Sequence, residues 1–262
     1  MTTLTNARLT RLSRPLPLRG PVVQVIMDGI GVGKLADPQN AVARARTPNL
    51  DRLKREALYT ELLAHGNCVA GTMAELLSRA AVQQLAISET QGFDHITRFW
   101  NGNNAEILEK EVWLEVRSEQ ADFAADPAMK AAEITKTLML YVDRPEKMFV
   151  RVNYPNGETI GRTGSPAAVR TAVEVVDEQI GALERHVVNN LGGALVVTAD
   201  HGQESNRVPF YIVLPEELRG SVSLVEPWHG PKTTRNSAAT ALNLLGFEAP
   251  AHMDPSLIEI KS

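Results

Sequence analysis

Acidic and imidazole side chains directly follow two apolar stretches of the chain. Asp28 comes after Val22–Met27, and Asp200 and His201 come after Ala194–Thr198. Carboxylate oxygens and imidazole nitrogens are suitable ligands for Mn²⁺, Zn²⁺ or Mg²⁺. An Asp-His pair in a loop can direct two ligands at one ion without being spaced by a regular element. These residue types therefore indicate a divalent-metal site, although an Asp-Gly turn at Asp28 and a helix cap at Asp200 would explain the same residues.

The elements that must position these side chains can be predicted from local patterns. Both apolar stretches predict buried β-strands, because they are short, rich in β-branched residues and end in polar loops. Pro209 cannot donate to a strand ladder and favours a sheet edge, or the first turn of a strand, for its own stretch. Residues 101–126 are predicted to form a loop with strand fragments. Further strands are predicted at 84–87, 95–100, 147–153 and 208–213, and helices are predicted to begin near Pro48, Thr72, Asp126, Ser165 and Ser237.

Strand, polar loop and helix alternate several times along the chain. This alternation predicts an α/β fold in three layers, with a largely parallel sheet covered by helices on both faces. In such sheets the ligand crevice lies at the carboxyl ends of the strands. Asp28, the loop over 153–162 and the Asp200–His201 pair all follow predicted strands, so we expect them to meet at one edge.

Composition excludes several classes of partner. The net charge of −4 provides no basic surface for nucleic acid. The single cysteine, Cys68, cannot form an internal disulfide and fits a reducing compartment. No apolar run approaches the roughly 20 residues of a membrane helix. We therefore expect a cytoplasmic protein with no nucleic-acid or membrane partner.

The chain shows no internal repeat, low-complexity tract or clear linker, so residues 21–262 are predicted to form a single domain. Residues 1–20 contain four arginines but lack the apolar segment of a signal peptide. They are predicted to form an N-terminal tail, with a disordered tail and a transit peptide as the open alternatives.

Several separated motifs occur together in a characteristic order. The stretches are 21–63 with Asp28-Gly-Ile-Gly31, Asn40-Ala41 and Thr47–Leu53; 71–80 through 84–90; His95 to Thr97 with Phe99 and Asn101-Gly102; 152–164; and Thr198-Ala-Asp-His-Gly202. In this order they resemble the cofactor-independent (2,3-bisphosphoglycerate-independent) phosphoglycerate mutases of the alkaline phosphatase superfamily. The resemblance implies that superfamily's fold. It also implies a chemistry in which two manganese ions flank a serine nucleophile and an inserted domain supplies arginines that hold phosphoglycerate.

The resemblance assigns roles to individual residues. Asp28, Asp200 and His201 match three ligands of one metal, and Glu158 matches an aspartate ligand of the other. Arg162 stands where the family has a ligand histidine, and a guanidinium cannot bind a cation. We therefore expect one Mn²⁺ ion (or Mg²⁺ or Zn²⁺) rather than two. Arg162 could instead bind the phosphate or carboxylate of a ligand, or simply pair with Glu158; both alternatives stay open.

Two further positions are candidates for substrate chemistry. His95 matches a family residue near the active crevice and is a candidate for substrate binding, although a histidine in a strand is more often structural. The family's serine segment and inserted domain should fall between His65 and Thr72, where only 66–71 remain. Thr72, at a predicted helix N-terminus, is then a candidate catalytic residue, with a capping box to Glu75 as the alternative. Cys68 is a further candidate nucleophile, with an inert cysteine as its alternative.

These matches and departures predict a degenerate mutase-like metalloprotein. It would bind a divalent ion and a phosphorylated or phosphonate-like small molecule, with weak or altered phosphoester chemistry and no mutase activity. One alternative is a non-catalytic pseudoenzyme that acts as a binding or scaffold subunit. Another is a mutase-like enzyme completed by a protein partner that supplies the missing domain.

Overall fold

A seven-stranded β-sheet runs through the centre of the protein in the computed structural model, which describes residues 8–33, 40–64, 72–119, 122–144, 147–202, 206–226 and 228–261. A second, two-stranded sheet lies beside it. The strands of the large sheet are β1 (Val22–Met27), β2 (Leu58–Leu63), β3 (Gln83–Glu89), β4 (Glu111–Val116), β5 (Met148–Tyr154), β6 (Ala194–Thr198) and β7 (Arg207–Val213), and those of the small sheet are β8 (Val222–Leu224) and β9 (Ile258–Ile260).

Strand order in the large sheet is β2-β7-β6-β1-β5-β3-β4. The five strands from β6 to β4 are parallel, and β7 is antiparallel to both of its neighbours. In the central register, Ile26 pairs with Asn153 of β5 and with Thr198 of β6. The residues that follow β1, β5 and β6 are thereby brought to the same edge, as expected for parallel neighbours.

Helices cover both faces of the sheet. One face carries α1, α4 and α6, with α1 and α4 each packed on α6, and the opposite face carries α2, α3 and α7. Ser165 caps α6 by accepting a hydrogen bond from the Ala168 amide, and a seven-residue π-helical segment, Glu184–Asn190, continues it. The helices are α1 (Pro48–Glu56), α2 (Met73–Arg79), α3 (Thr90–Ile96), α4 (Ala131–Val142), α5 (Asn156–Gly161), α6 (Pro166–Leu183) and α7 (Asn236–Leu244). The predicted α/β fold, with a largely parallel sheet between helical layers, is confirmed.

Part of the predicted N-terminal tail belongs to the packed structure. Leu16 and Leu18 are buried in the same core cluster as the central strands. Arg11 forms a bridge with Phe247 and places its guanidinium 4.3 Å from the centre of that ring. The described stretch of the tail is therefore anchored against the C-terminal part of the chain.

Several local predictions were wrong. Residues 90–96 form the helix α3 rather than a strand over 95–100, and the backbone carbonyl of Ile96 accepts a hydrogen bond from the buried Arg151 guanidinium. The helix predicted near Asp126 begins at Ala131, because Met129 has a left-handed backbone with φ 47°. Strand β2 was not predicted, and β4 lies within 101–126, where only strand fragments in a loop were predicted.

Pro209 does not mark a sheet edge, because β7 lies between β2 and β6. Its position is tolerated because the pairing of β7 with β6 covers only 210–213, beginning one residue after the proline. No helix within the described residues is long and apolar enough to cross a membrane.

Candidate metal centre

Asp28, Asp200 and His201 form a cluster at the carboxyl ends of β1 and β6. Each offers one ligand atom, and these atoms all lie within 4.8 Å of one another. The Nε2 atom of His201 lies 3.8 Å from Asp28 Oδ1 and 3.5 Å from Asp200 Oδ2. Because β1 and β6 are parallel neighbours, the side chains that follow them converge at one edge of the sheet. The structure thus brings together the three residues proposed as metal ligands from the sequence.

Asp28 is almost fully buried, with 1% of its surface exposed. Its Oδ2 accepts a hydrogen bond of 3.0 Å from Asn153 Nδ2 and lies 3.3 Å from His95 Nδ1. Burial opposes ionisation, but the hydrogen bonds from His95 and Asn153 outweigh it and lower the pKa of this carboxyl. The other oxygen, Oδ1, is buried without a hydrogen-bond partner among the described residues. A buried carboxylate oxygen left open in this way is available to a cation.

Asp200 is held by the backbone. Its Oδ1 accepts hydrogen bonds from the amides of Gly29, at 3.2 Å, and His201, at 2.9 Å. Burial, together with the negative charge of Asp28, raises the pKa of Asp200 to about 6. Two carboxylates and an imidazole converge with one buried acceptor unused, and this donor set fits a hard or borderline divalent cation.

Close backbone packing places α5 against the loop that follows β1. Gly29 has φ +75°, and a Cβ added there would lie 2.7 Å from the amide nitrogen of Glu158. That amide donates a 3.0 Å hydrogen bond to the carbonyl of Asp28. A Cβ at Gly157 would lie 2.5 Å from the same carbonyl oxygen. Only glycine permits this approach, which carries Glu158 to the border of the cluster.

A third glycine lets α3 approach the sheet. A Cβ at Gly92 would lie 2.2 Å from Asn153 Nδ2 and 2.7 Å from Ser88 Oγ. The close contact allows α3 to present His95 to Asp28 while Asn153 reaches the same carboxylate from β5. The sequence showed neither contact, because the first depends on where α3 crosses the sheet and the second on β5 lying next to β1.

Glu158 and Arg162 form an ion pair on one side of the cluster. Arg162 Nε lies 2.8 Å and its Nη2 2.6 Å from Glu158 Oε1, with the arginine side chain 77% exposed. Glu158 Oε2 lies 3.9 Å from His201 Nε2. Of the two alternatives for Arg162, the pair with Glu158 is present in the structure. Glu158 borders the cluster, but one of its oxygens is engaged by a guanidinium.

The remaining sequence candidates occupy different settings. Thr72 caps α2, with its hydroxyl oxygen 3.3 Å from the Glu75 amide that donates to it, which is the capping alternative. His95 lies in α3 rather than in a strand, and its hydrogen bond to Asp28 raises its pKa despite partial burial. Cys68 and the rest of 65–71 lie outside the described residues.

With this geometry in view, comparison with known proteins defines the class. Residues 63–209, more than half of the chain, match the model of the Metalloenzyme superfamily, and the chain belongs to that superfamily. Similarity to individual proteins points to a narrower family within it. The 2,3-bisphosphoglycerate-independent phosphoglycerate mutase of Trypanosoma brucei brucei is 33% identical over 216 residues, an alignment that covers 72% of this chain and 39% of the relative.

Solved structures agree with this placement. A phosphoglycerate mutase of Leishmania mexicana, crystallised at low cobalt concentration, aligns with a TM-score of 0.67 and 33% identity over 72% of this chain and 39% of its own. A putative sulfatase from Bacteroides thetaiotaomicron aligns over 92% of this chain and 73% of its own, with a TM-score of 0.61 and 12% identity, which supports the fold alone. The resemblance to the mutase family is thus confirmed, while the chain spans 39% of the length of the mutases it matches.

Proposed function

We propose that this chain binds a single divalent cation through Asp28, Asp200 and His201 and uses it to hold the phosphoryl or phosphonyl group of a small molecule. One observation carries the proposal: three ligand atoms lie within 4.8 Å of one another at the strand ends of a chain that belongs to a metalloenzyme superfamily. The unpartnered Oδ1 of Asp28 supports it, because the cluster already contains a buried acceptor in need of a partner.

The surrounding groups have positioning roles in this proposal. Asn153 and His95 fix the Asp28 carboxylate by binding its Oδ2, which leaves Oδ1 free. The Gly29 and His201 amides fix Asp200 in the same way through its Oδ1. Such outer partners orient ligands and tune their affinity for the ion. A bound cation would supply Lewis-acid stabilisation of negative charge on a phosphoryl oxygen.

Two carboxylates and one imidazole favour Mn²⁺, with Mg²⁺ and Zn²⁺ as the other candidates. We propose one ion rather than two because Arg162 brings a fixed positive charge to Glu158, the remaining candidate ligand. The guanidinium occupies that carboxylate and repels a second cation. Arg162 remains a candidate for contact with the anionic group of a ligand.

We further propose weak or altered phosphoester chemistry rather than phosphoglycerate mutase activity. The Thr72 hydroxyl serves as a helix cap, and among the described residues it makes no hydrogen bond to Asp28, Asp200 or His201. A water molecule activated at the single ion would be the remaining nucleophile for hydrolysis. The exposed Arg162–Glu158 pair also favours a second candidate, a non-catalytic binding subunit in which this pair closes part of the site.

Calorimetric titration of Mn²⁺ into the chelator-treated protein tests the proposal. We expect one ion per chain, with binding abolished in Asp28→Ala and His201→Ala and unchanged in Asp122→Asn, an exposed aspartate outside the cluster. Inorganic phosphate should then bind only to the metal-loaded protein. A folded protein that takes up no Mn²⁺ would contradict the metal site and leave the binding-subunit alternative. Metal-dependent release of 4-nitrophenol from 4-nitrophenyl phosphate, absent in Asp28→Ala, would decide for residual hydrolysis.

A further inference from the structure

A cavity of about 530 Å³ opens beside the metal cluster. Asp200 and His201 are among its lining residues, together with residues of the β1–β6 face of the sheet and of the start of α7. Its volume lies within the range of pockets that hold small organic ligands. The cavity is therefore large enough for the body of a molecule whose phosphoryl group lies at the cluster.

Gln24 lines this cavity from the middle of β1. The residue is 2% exposed, and its Oε1 has no hydrogen-bond partner among the described residues. A buried amide oxygen without a donor is destabilising for the folded protein, and such groups need an explanation. A ligand that brings a hydroxyl or amino hydrogen to this depth would satisfy it.

The remaining lining is largely apolar and has little uncompensated charge. Trp100, Ile26 and Ala238 contribute apolar surface. Arg235 is the one lysine or arginine among the described lining residues, and its Nε lies 2.9 Å from Asp254 Oδ2. Among the lysines and arginines of the described lining, a second negative charge on the ligand would therefore meet only this ion-paired guanidinium. An uncharged body would gain burial against the indole and the aliphatic side chains.

We infer that the cavity binds the uncharged, largely apolar body of a phosphomonoester or phosphonate that carries a hydrogen-bond donor for Gln24. The inference rests on the proposed function, since the phosphoryl group is assigned to the cluster of Asp28, Asp200 and His201. Gln24 and Trp100 are then the specificity-determining residues. A short ligand with a second anionic group, such as phosphoglycerate, fits this lining poorly.

Four probe molecules separate the contributions of the metal centre, the apolar lining and Gln24 to binding. Inorganic phosphate tests the metal centre alone, 3-phosphoglycerate adds a second anion, phenyl phosphate adds an apolar body, and 4-aminophenyl phosphate adds a donor to that body. Calorimetry on the Mn²⁺-loaded protein should give phenyl phosphate an affinity at least about tenfold above inorganic phosphate, in keeping with burial of an aromatic ring. The 4-amino derivative should bind more tightly still, and 3-phosphoglycerate no more tightly than inorganic phosphate.

Variants assign these gains to particular residues. Gln24→Met should remove the advantage of 4-aminophenyl over phenyl phosphate without lowering resistance to urea, because the lost oxygen had no partner. Trp100→Ala should reduce both aromatic esters to the affinity of inorganic phosphate. Trp100 also packs on Phe149, so Ala238→Leu, which fills the cavity from its opposite wall, gives a second test if the tryptophan variant does not fold. Tyr141→Ala, on α4 at the opposite face of the sheet, is the control and should leave all four affinities unchanged.

Each outcome bears on one proposal or the other. If inorganic phosphate binds in a metal-dependent way but the aromatic esters bind no more tightly, the assignment of the cavity is overturned while the metal centre stands. If the aromatic esters bind equally well in EDTA and inorganic phosphate does not bind, the cavity stands and the metal centre falls. Binding of none of the four probes would overturn both.

Discussion

Replacing Asp200 by asparagine should have opposite effects on stability with and without metal. The variant keeps an Oδ1 that can accept the hydrogen bonds from the Gly29 and His201 amides, so the loop geometry is preserved. It removes the carboxylate whose pKa is raised to about 6 by burial and by the charge of Asp28. Without metal, the wild-type protein at neutral pH must keep the charged Asp200 carboxylate partly buried and close to the charge of Asp28, which destabilises the folded state. The asparagine variant need not.

Without metal, the size and sign of the stability difference between the variant and the wild type follow from the raised pKa of Asp200. A carboxyl whose pKa is higher in the folded than in the unfolded protein binds protons more tightly when folded, so stability falls as pH rises from about 4 to about 6. A rise from 3.8 to about 6 would correspond to roughly 3 kcal/mol. Because the Asp200 side chain is 33% exposed, solvent screening reduces our expectation to about 1–2 kcal/mol. In EDTA at pH 7, Asp200→Asn should be more stable than wild type by that amount, and near pH 4 the two should be equal.

Manganese should reverse this order. At a Mn²⁺ concentration of a hundred times Kd, a ligand that binds only the folded protein stabilises it by about 2.7 kcal/mol. We expect that gain in the wild type and none in Asp200→Asn. Urea unfolding followed by circular dichroism, in EDTA and in MnCl₂, measures both effects, with Asp122→Asn as a control that shows neither. A variant that is less stable than wild type in EDTA at pH 7, or that keeps the gain from Mn²⁺, would refute this reasoning.

Three further expectations concern the groups that support the site. Gly92→Ala should lower the free energy of unfolding by about 1–3 kcal/mol in urea titrations, because its Cβ would lie 2.2 Å from Asn153 Nδ2. Gly220→Ala is the control and should change the free energy little, because a Cβ there would meet no atom within 4 Å. Equal effects of the two substitutions would mean that the packing of α3 is not tight. Asn153→Leu should weaken Mn²⁺ binding by about tenfold or more in calorimetry, because one of the two hydrogen-bond partners of Asp28 Oδ2 is lost. An unchanged Kd would argue against a positioning role for Asn153. Arg151→Met should lower the free energy of unfolding by about 3–5 kcal/mol, because it leaves Glu111 charged and buried without its partner. Adding Glu111→Gln should recover a large part of that stability. Additive effects in the double variant would show that the two residues are not coupled.

The convergence of the three candidate ligands could be predicted because it depends on short-range signals. Buried strands ending in Asp28 and in Asp200–His201 are visible as apolar runs, and parallel neighbours bring their ends together. The motif order then gave the fold family, which the comparisons confirm.

What escaped prediction depends on contacts between distant parts of the chain. The apolar residues of 95–100 suggested a strand, but Ile96 is buried as the last residue of a helix that lies on the sheet. The bond of His95 to Asp28 requires the close approach of α3 that Gly92 permits. The unpartnered oxygen of Gln24 is likewise invisible in a sequence, where the residue is one polar position in an apolar strand.

The most direct test of the central claim is an anomalous-scattering map from crystals grown with Mn²⁺. A single strong peak is expected, within about 2.0–2.4 Å of a ligand atom from each of Asp28, Asp200 and His201. The Arg162–Glu158 ion pair should remain intact beside it. Absence of a peak at these three residues, or a second peak coordinated by Glu158 with Arg162 displaced, would contradict a single-ion centre.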